Sequence, residues 1–367
     1  MQLEVFKFIK INRGILFFLN YILVISLFST FILKSLISFY AMFELRFLPV
    51  FYIIIGWGRA IDRLVSGFYL IFYTIIGSLP LLLGIIYMYN YVFLDFFLIN
   101  FFSNRNYIIL FSFLVVFLIK FPMYGLHLWL IKAHVEAPVW GSIILSGVIL
   151  KLGGYGILRF FYIWETFFNL KNFFIFFRFW GGLYIRFICL ISNDIKLRIA
   201  ISSIVHIRMC IVSLFIIRSW RIKGCLILMV GHGLCSSGIF FLCNVFYKIF
   251  NRRRLLVRKG IINIFPIFSL VWFIICRANI RCPPTINLIG EIIIITRIIG
   301  WGTIFIFILI FFLFFSACYR LYFYYVYRYN FYGNKILNIE YNLFSLVVGI
   351  LHWLPINLMI IHIYIYL

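Results

Sequence analysis

The chain has 367 residues, 66% of them hydrophobic, 22% aromatic and 11% charged, with a mean hydropathy of +1.14. A soluble domain carries about 25% charged and roughly 45–50% apolar residues, so a water-soluble globular enzyme is excluded and the apolar surface must face lipid or other membrane helices. The formal charge of +24, from 33 Lys+Arg against 9 Asp+Glu, would ordinarily suggest nucleic acid or an anionic surface. Here the basic residues are scattered between apolar runs, which argues against nucleic acid as a partner.

About twenty apolar residues cross a bilayer. In chain order that length predicts eleven spans, at 14–33, 36–58, 67–89, 107–126, 138–161, 172–192, 197–217, 222–247, 265–296, 302–325 and 342–364. The runs are long and lack period-two alternation, so they read as helices of an all-α polytopic bundle. The opening MQLEVFKFIKINRG resembles the start of a signal peptide. It lacks a small-residue cleavage site, and the apolar run after it has spanning length, so it is expected to lead into the first helix. The fourth span contains Lys120-Phe121-Pro122 and Gly125, and the ninth contains Cys282-Pro283-Pro284. Both must break or kink.

Dividing the chain into five-helix blocks, 14–161 and 172–325, makes the broken helix the fourth member of each. Interrupted helices at corresponding positions signal the inverted repeats of ion transporters. An odd number of spans per block sends the second block into the membrane from the opposite side. Residues 1–13 form an N-terminal segment, and 326–367 a C-terminal loop with the final helix. Alternate connections at 59–63, 132–136, 194–196 and 252–259, with Lys7, Lys10 and Arg13, carry the basic excess and are expected on the cytoplasmic or matrix side. The opposite loops carry Asp95, Arg105, Glu165 and Lys171, while the basic stretch 218–223 goes against the rule.

Ionisable side chains inside a bilayer are costly and mark functional sites. Glu44 falls in the second span, Lys120 at the first break, Lys151 in the fifth span and Glu291 just past the second break. His206 and His232 lie in the seventh and eighth spans. A structural ion pair or snorkelling explains any one of them, but not the set gathered beside the two broken helices. Removing an amine from water disfavours its charged form, and a nearby carboxylate restores it. Such a pair can therefore exchange protons as it moves or hydrates, and helix breaks supply polar backbone for water. The pattern points to proton translocation.

Other chemistries find little support. The eight cysteines (189, 210, 225, 235, 243, 276, 282 and 318) form no C-x-x-C pair and read as packing residues. His127 and His134 flank GLHLWLIKAHVEAP at a spacing of seven, with Glu136 as the one nearby third ligand. A loop or short helix that orders the broken span is the better reading than a metal site. No phosphate-binding Gly-rich loop, Ser/His/Asp set, flavin or haem signature is present, so no cofactor is expected in this chain.

These residues carry a family resemblance. The stretch IKFPMYGLHLWLIKAHVEAPVWGSIILSGVILKLGGYG (119–156) closely resembles NADH-ubiquinone oxidoreductase chain 4, the mitochondrially encoded antiporter-like membrane subunits of respiratory complex I. Further matches are FELRFLP (43–49), WGRAIDRL (57–64), FYTIIGSLPLLLG (72–84), DIKLRIAISSIVH (194–206), GHGLCSSGIFFLCN (231–244), ANIRCPPTINLIGE (278–291) and ACYRLYFY (317–324). They follow the family order over roughly residues 40–325. The resemblance implies a proton path through Glu44, Lys120, Lys151, His206, His232 and Glu291, coupled to quinone reduction elsewhere in the complex. It implies that NADH, FMN, iron–sulfur clusters and ubiquinone are bound by other subunits, and that chains 2 and 5 and the lipid bilayer are the partners. The implied location is the mitochondrial inner membrane. A stand-alone cation/proton antiporter and a structural membrane subunit are the alternatives.

Three departures stand out. The family has three further N-terminal helices, and Ile131 replaces its usual proline. Arg supplies 21 of the 33 basic residues, and Arg46, Arg208 and Arg297 fall within spans. At Arg46, Arg208 and Arg320 the resembling family has small residues, often serine. Some mitochondrial codes read two standard arginine codons as serine, so many of these arginines, Arg252 and Arg254 included, are expected to be serines decoded with the wrong table.

Overall fold

The computed structural model describes residues 2–58, 62–89, 107–160, 171–215, 219–250, 266–328 and 343–361. The helices are α1 (Gln2–Ile32), α2 (Leu36–Leu45), α3 (Phe47–Trp57), α4 (Arg63–Tyr89), α5 (Tyr107–Lys120), α6 (Leu128–Glu136) and α7 (Val139–Ile144). A π-helical turn at Leu145–Ile149 joins α7 to α8 (Leu150–Arg159). Then come α9 (Lys171–Ile191), α10 (Ile195–Phe215), α11 (Ser219–Phe250), α12 (Pro266–Ile280), α13 (Ile286–Ile299), α14 (Phe305–Arg328) and α15 (Leu343–Ile361). Among the described residues there is no strand, and eight helices or helix pairs are long and apolar enough to cross a membrane. Three shorter apolar helices, Phe111–Lys120, Phe179–Ile191 and Pro266–Ile280, fall in the remaining expected spans. The basic loop at 252–259, the 59–61 turn, Arg218, and Asp95, Arg105 and Glu165 lie outside the described residues.

The centre of the bundle is α10, whose spanning stretch is 94% buried, with α11 packed along it. The outer helices α1, α4, α14 and α15 turn Phe17, Phe28, Phe72, Phe307 and Phe344 outward. So much exposed apolar surface suits lipid and would aggregate in water. Gly58 lies against the Glu136 carbonyl, and Lys196 Nζ donates to the Ala137 carbonyl at 2.8 Å. Gly58, the end of α6 and the start of α10 therefore lie together at one end of the bundle.

Both expected breaks are present, and the expected spans need correction in two places, the end of the fourth and the middle of the second. The fourth stops at Lys120, and residues 121–127 form an irregular link to α6, with Gly125 at φ +87. The ninth stops at Ile280 and restarts at Ile286. The second is interrupted at Arg46 between α2 and α3. In addition, α6 runs helically through Ile131, and Arg297 is exposed in the last turn of α13, where its long side chain can reach the interface.

Both breaks are closed by the same device. A helix end in lipid must satisfy its last carbonyls. At the first break Trp129 Nε1, from α6, donates to the Ile119 carbonyl of α5 at 3.0 Å. At the second, Asn287 Nδ2, from α13, donates to the Ala278 carbonyl of α12 at 3.1 Å. A side chain of the second half thus reaches back over the gap in each case. Small residues then bring neighbouring helices against the breaks. A Cβ on Gly153 of α8 would sit 2.7 Å from Phe121 Cβ and 3.1 Å from the Lys120 carbonyl carbon.

Gly153→Leu is therefore expected to prevent stable accumulation of the chain, read by immunoblot of membranes, whereas Gly147→Ala, which meets open space, is expected to be tolerated. Trp129→Phe keeps the ring and removes the donor. It should cost about 1 kcal/mol of stability, measured as a lower thermal-inactivation midpoint.

Candidate proton-path site

The six expected residues fall into two clusters with a lysine between them. In the first, Lys120 ends α5 and Glu44 lies in the last turn of α2, with Nζ 3.7 Å from Oε1. The lysine side chain is 6% exposed and the carboxylate 22%, so the pair is shielded but the acid keeps an opening. Rings of Phe43 and Phe47 lie 5.3 and 5.8 Å from the ammonium and add cation–π attraction. A cavity of about 30 Å³ lined by Lys120, Arg46, Thr74 and Trp129 leaves room for a water.

Lys151 sits in the first turn of α8, directly after the π turn. A π turn lengthens the hydrogen-bonded ring and commonly marks a functional position. Here the ammonium of Lys151 donates to the Ser146 carbonyl within that turn. The lysine crosses towards α11, where its Nζ would lie 3.6 Å from a Cβ on Gly233. The missing side chain at Gly233 therefore makes space for the ammonium, next to His232.

The second cluster centres on His206 of α10 and His232 of α11, whose rings stack with centroids 4.3 Å apart and planes at 18°. Both are buried. Arg281 Nη2 lies 2.9 Å from His206 Nδ1, and Arg320 Nη2 lies 3.1 Å from His206 Nε2. Glu291, in the second turn of α13, forms an ion pair with Arg281. The structure thus gathers His206, His232 and Glu291, while Glu44 and Lys120 stand apart from them.

His127 and His134 do not converge. His127 stacks on Tyr124 and His134 on Phe240, at opposite ends of α6. Among the described residues no group of three or more His, Cys, Asp and Glu comes together. Reading the sequence alone missed Trp129 and Asn287, whose roles depend on carbonyls left open by the breaks. It also missed the π turn, although a buried lysine in an otherwise apolar span could have drawn attention to its own turn.

Comparison with known proteins decides the family. Residues 34–316 match the NADH:quinone oxidoreductase/Mrp antiporter membrane family. NADH-ubiquinone oxidoreductase chain 4 of Ceratitis capitata is 41% identical over 95% of this chain and 79% of its own length. That of Aedes aegypti is 42% identical over 88% and 73%.

This chain belongs to the chain 4 family.

Among solved structures, a chain of respiratory complex I from Thermus thermophilus superposes with a TM-score of 0.78 at 20% identity, covering 89% of this chain and 72% of that one. A chain of the archaeal membrane-bound sulfane sulfur reductase gives 0.82 at 16%, covering 94% and 72%. At such identity these two speak to the fold, which is the antiporter-like membrane fold. For chain 4, the back-bonded break at Asn287 should matter structurally. Asn287→Leu leaves the Ala278 carbonyl only the Arg281 backbone N–H at 3.3 Å and is expected to cost about 1 kcal/mol, seen as a lower midpoint for thermal loss of the assembled complex.

Proposed function

We propose that this chain is the proton-translocating chain 4 of a mitochondrial respiratory complex I, and that Glu44, Lys120, Lys151, His232, His206 and Glu291 carry the proton. The observation that carries the reading is the buried Lys120–Glu44 pair at a helix break, in a chain about 40% identical to curated chain 4 proteins over most of its length. A packing scaffold has no need for an ion pair placed where backbone groups and a cavity admit water. A buried pair is poor evidence for stability, since desolvation offsets its attraction.

In this reading a carboxylate near Lys120 keeps the ammonium charged. When Glu44 withdraws or is itself protonated, the lysine loses its counter-charge and passes a proton on through water. Lys151, held by a carbonyl dipole, is the next acceptor. The stacked imidazoles then hand the proton towards Glu291. The paired blocks 14–161 and 172–325, each with its broken helix, provide the two half-channels. The end of the bundle holding Gly58, Glu136 and Lys196 faces the matrix, as the loop charges require.

The chain itself performs no redox step. NADH, FMN, iron–sulfur clusters and ubiquinone belong to other subunits, and coupling reaches this chain through neighbouring membrane subunits, chains 2 and 5 among them, in the mitochondrial inner membrane. The matching family also contains Mrp antiporters, and a stand-alone cation/proton antiporter is the second reading. Copurification separates the two: the complex I reading expects the chain to travel with rotenone-sensitive NADH oxidation, and the antiporter reading expects it without.

Glu44→Gln and Lys120→Ala are expected to lower proton pumping and NADH:ubiquinone reductase activity together by an order of magnitude or so, a loss of about 1.4 kcal/mol or more in driving the coupled step. Assembly on native gels should persist. Reconstituted vesicles of either variant that pump at the parental rate would sink the assignment.

A further inference from the structure

Of five buried arginines, three leave donors without acceptors, and two, otherwise partnered by Tyr319, the Ile280 carbonyl and Glu291, crowd one histidine. Arg46, Arg186, Arg208, Arg281 and Arg320 are each at most 4% exposed, inside a bundle that lipid surrounds. Arg208 faces the Tyr124 ring, and its Nε, Nη1 and Nη2 have no hydrogen-bond acceptor. Arg46 uses Nε on the Phe43 carbonyl at 2.9 Å and leaves both terminal nitrogens unaccepted. Arg186 donates from Nη1 to the Phe312 carbonyl and leaves Nε and Nη2 without a partner. A guanidinium has five donors and no acceptor, and a buried one needs partners for all of them.

The two arginines at His206 meet a sharper contradiction. They approach both ring nitrogens as donors. A neutral imidazole offers one acceptor nitrogen, and its other nitrogen is itself an N–H donor. Protonation removes the remaining acceptor and adds a further positive charge. No state of His206 accepts from both guanidiniums. Five guanidiniums would also add their charge to that of Lys120 and Lys151, around the carboxylates of Glu44 and Glu291.

We infer that positions 46, 186, 208, 281 and 320 carry serine in the protein the organelle makes. AGA and AGG specify arginine in the standard table, and several animal mitochondrial codes read them as serine. One decoding difference therefore accounts for all five positions and for the predominance of arginine over lysine. A serine inside a helix satisfies its hydroxyl on a carbonyl three residues back, as Ser202, Ser203, Ser213, Ser237 and Ser316 do in this bundle. For position 46 that carbonyl is Phe43 O, already the acceptor of the Arg46 Nε bond. Serine at 281 and 320 ends several bonds short of the ring, so both guanidiniums leave His206 and its nitrogens are freed for one donor and one acceptor.

The inference rests on the mitochondrial origin proposed above. The test is peptide mass spectrometry of the complex purified from its source mitochondria, digested with chymotrypsin, alongside the codons of the gene. The expected result is serine mass at each of the five positions, and AGA or AGG in the gene. Arginine mass at position 208, 281 or 320, or CGN codons there, overturns the inference. If the chain is found within complex I and carries arginine, this inference alone fails. If it is found outside any such complex and carries arginine, the functional reading fails with it.

Discussion

The whole arrangement depends on keeping backbone carbonyls satisfied where a helix breaks inside a bilayer. An unpartnered carbonyl in hydrocarbon costs several kcal/mol, so two breaks without donors would not survive. Trp129 and Asn287 supply those donors from within the same broken helices. Each break is thereby closed before any neighbour arrives. The gap becomes a rigid structural element, and the ionisable residue beside it is held at a fixed depth. At the first break that residue is Lys120, whose backbone is also pressed against Gly153. At the second, Gly231 of α11 approaches Ile286 and Asn287 closely enough that a Cβ would lie 2.7 Å from Ile286 Cγ2. The bare faces of α8 and α11 thus hold the first and second break respectively.

The two lysines are held differently, and the difference has a direction. Lys120 faces a full carboxylate charge, whereas Lys151 faces the carbonyl of Ser146. In a poorly polar interior a carboxylate stabilises an ammonium far more than one dipole does. In the proposed path a proton rests on Lys120 while Glu44 is near and ionised, and moves towards Lys151 when that support is lost. The Glu44 side chain, 22% exposed, is the part of that pair open to its surroundings. The π turn matters for the same reason. It presents the Ser146 carbonyl to the lysine five residues on, so Lys151 has a partner without a second acid in the membrane.

Much of this was legible in the sequence, and the rest was not for definite physical reasons. Apolar length revealed every described span, because crossing a bilayer needs about twenty residues whatever the packing. Pro122 and the Pro283-Pro284 pair revealed the breaks, because proline removes a donor and crowds the preceding turn. Burial cost revealed Glu44, Lys120, Lys151 and Glu291, although only coordinates could pair Glu44 with Lys120. The back-bonds were not legible, since Trp129 is an ordinary apolar-face residue until one knows that the Ile119 carbonyl is open. The limits of α5 were overrun because residues 121–126 are as apolar as the helix before them. The π turn has no compositional mark, because LSGVI is equally suited to an α-helix.

The stacked histidines connect the chemistry of the path to the identity of the residues around it. Two imidazoles 4.3 Å apart in a buried site cannot both carry charge, because like charges repel strongly at that distance. The pair can therefore hold at most one proton at a time. Guanidiniums on both nitrogens of His206 would forbid even that one, and the route from Lys151 to Glu291 would end at His232. They would also hold Glu291 in a permanent ion pair, removing its carboxylate from exchange. Serine at those positions imposes neither block, since it leaves both ring nitrogens and Glu291 without a fixed cation. In the proposed path, proton exchange at His206 and serine at positions 281 and 320 therefore go together, because a guanidinium on each ring nitrogen excludes the first.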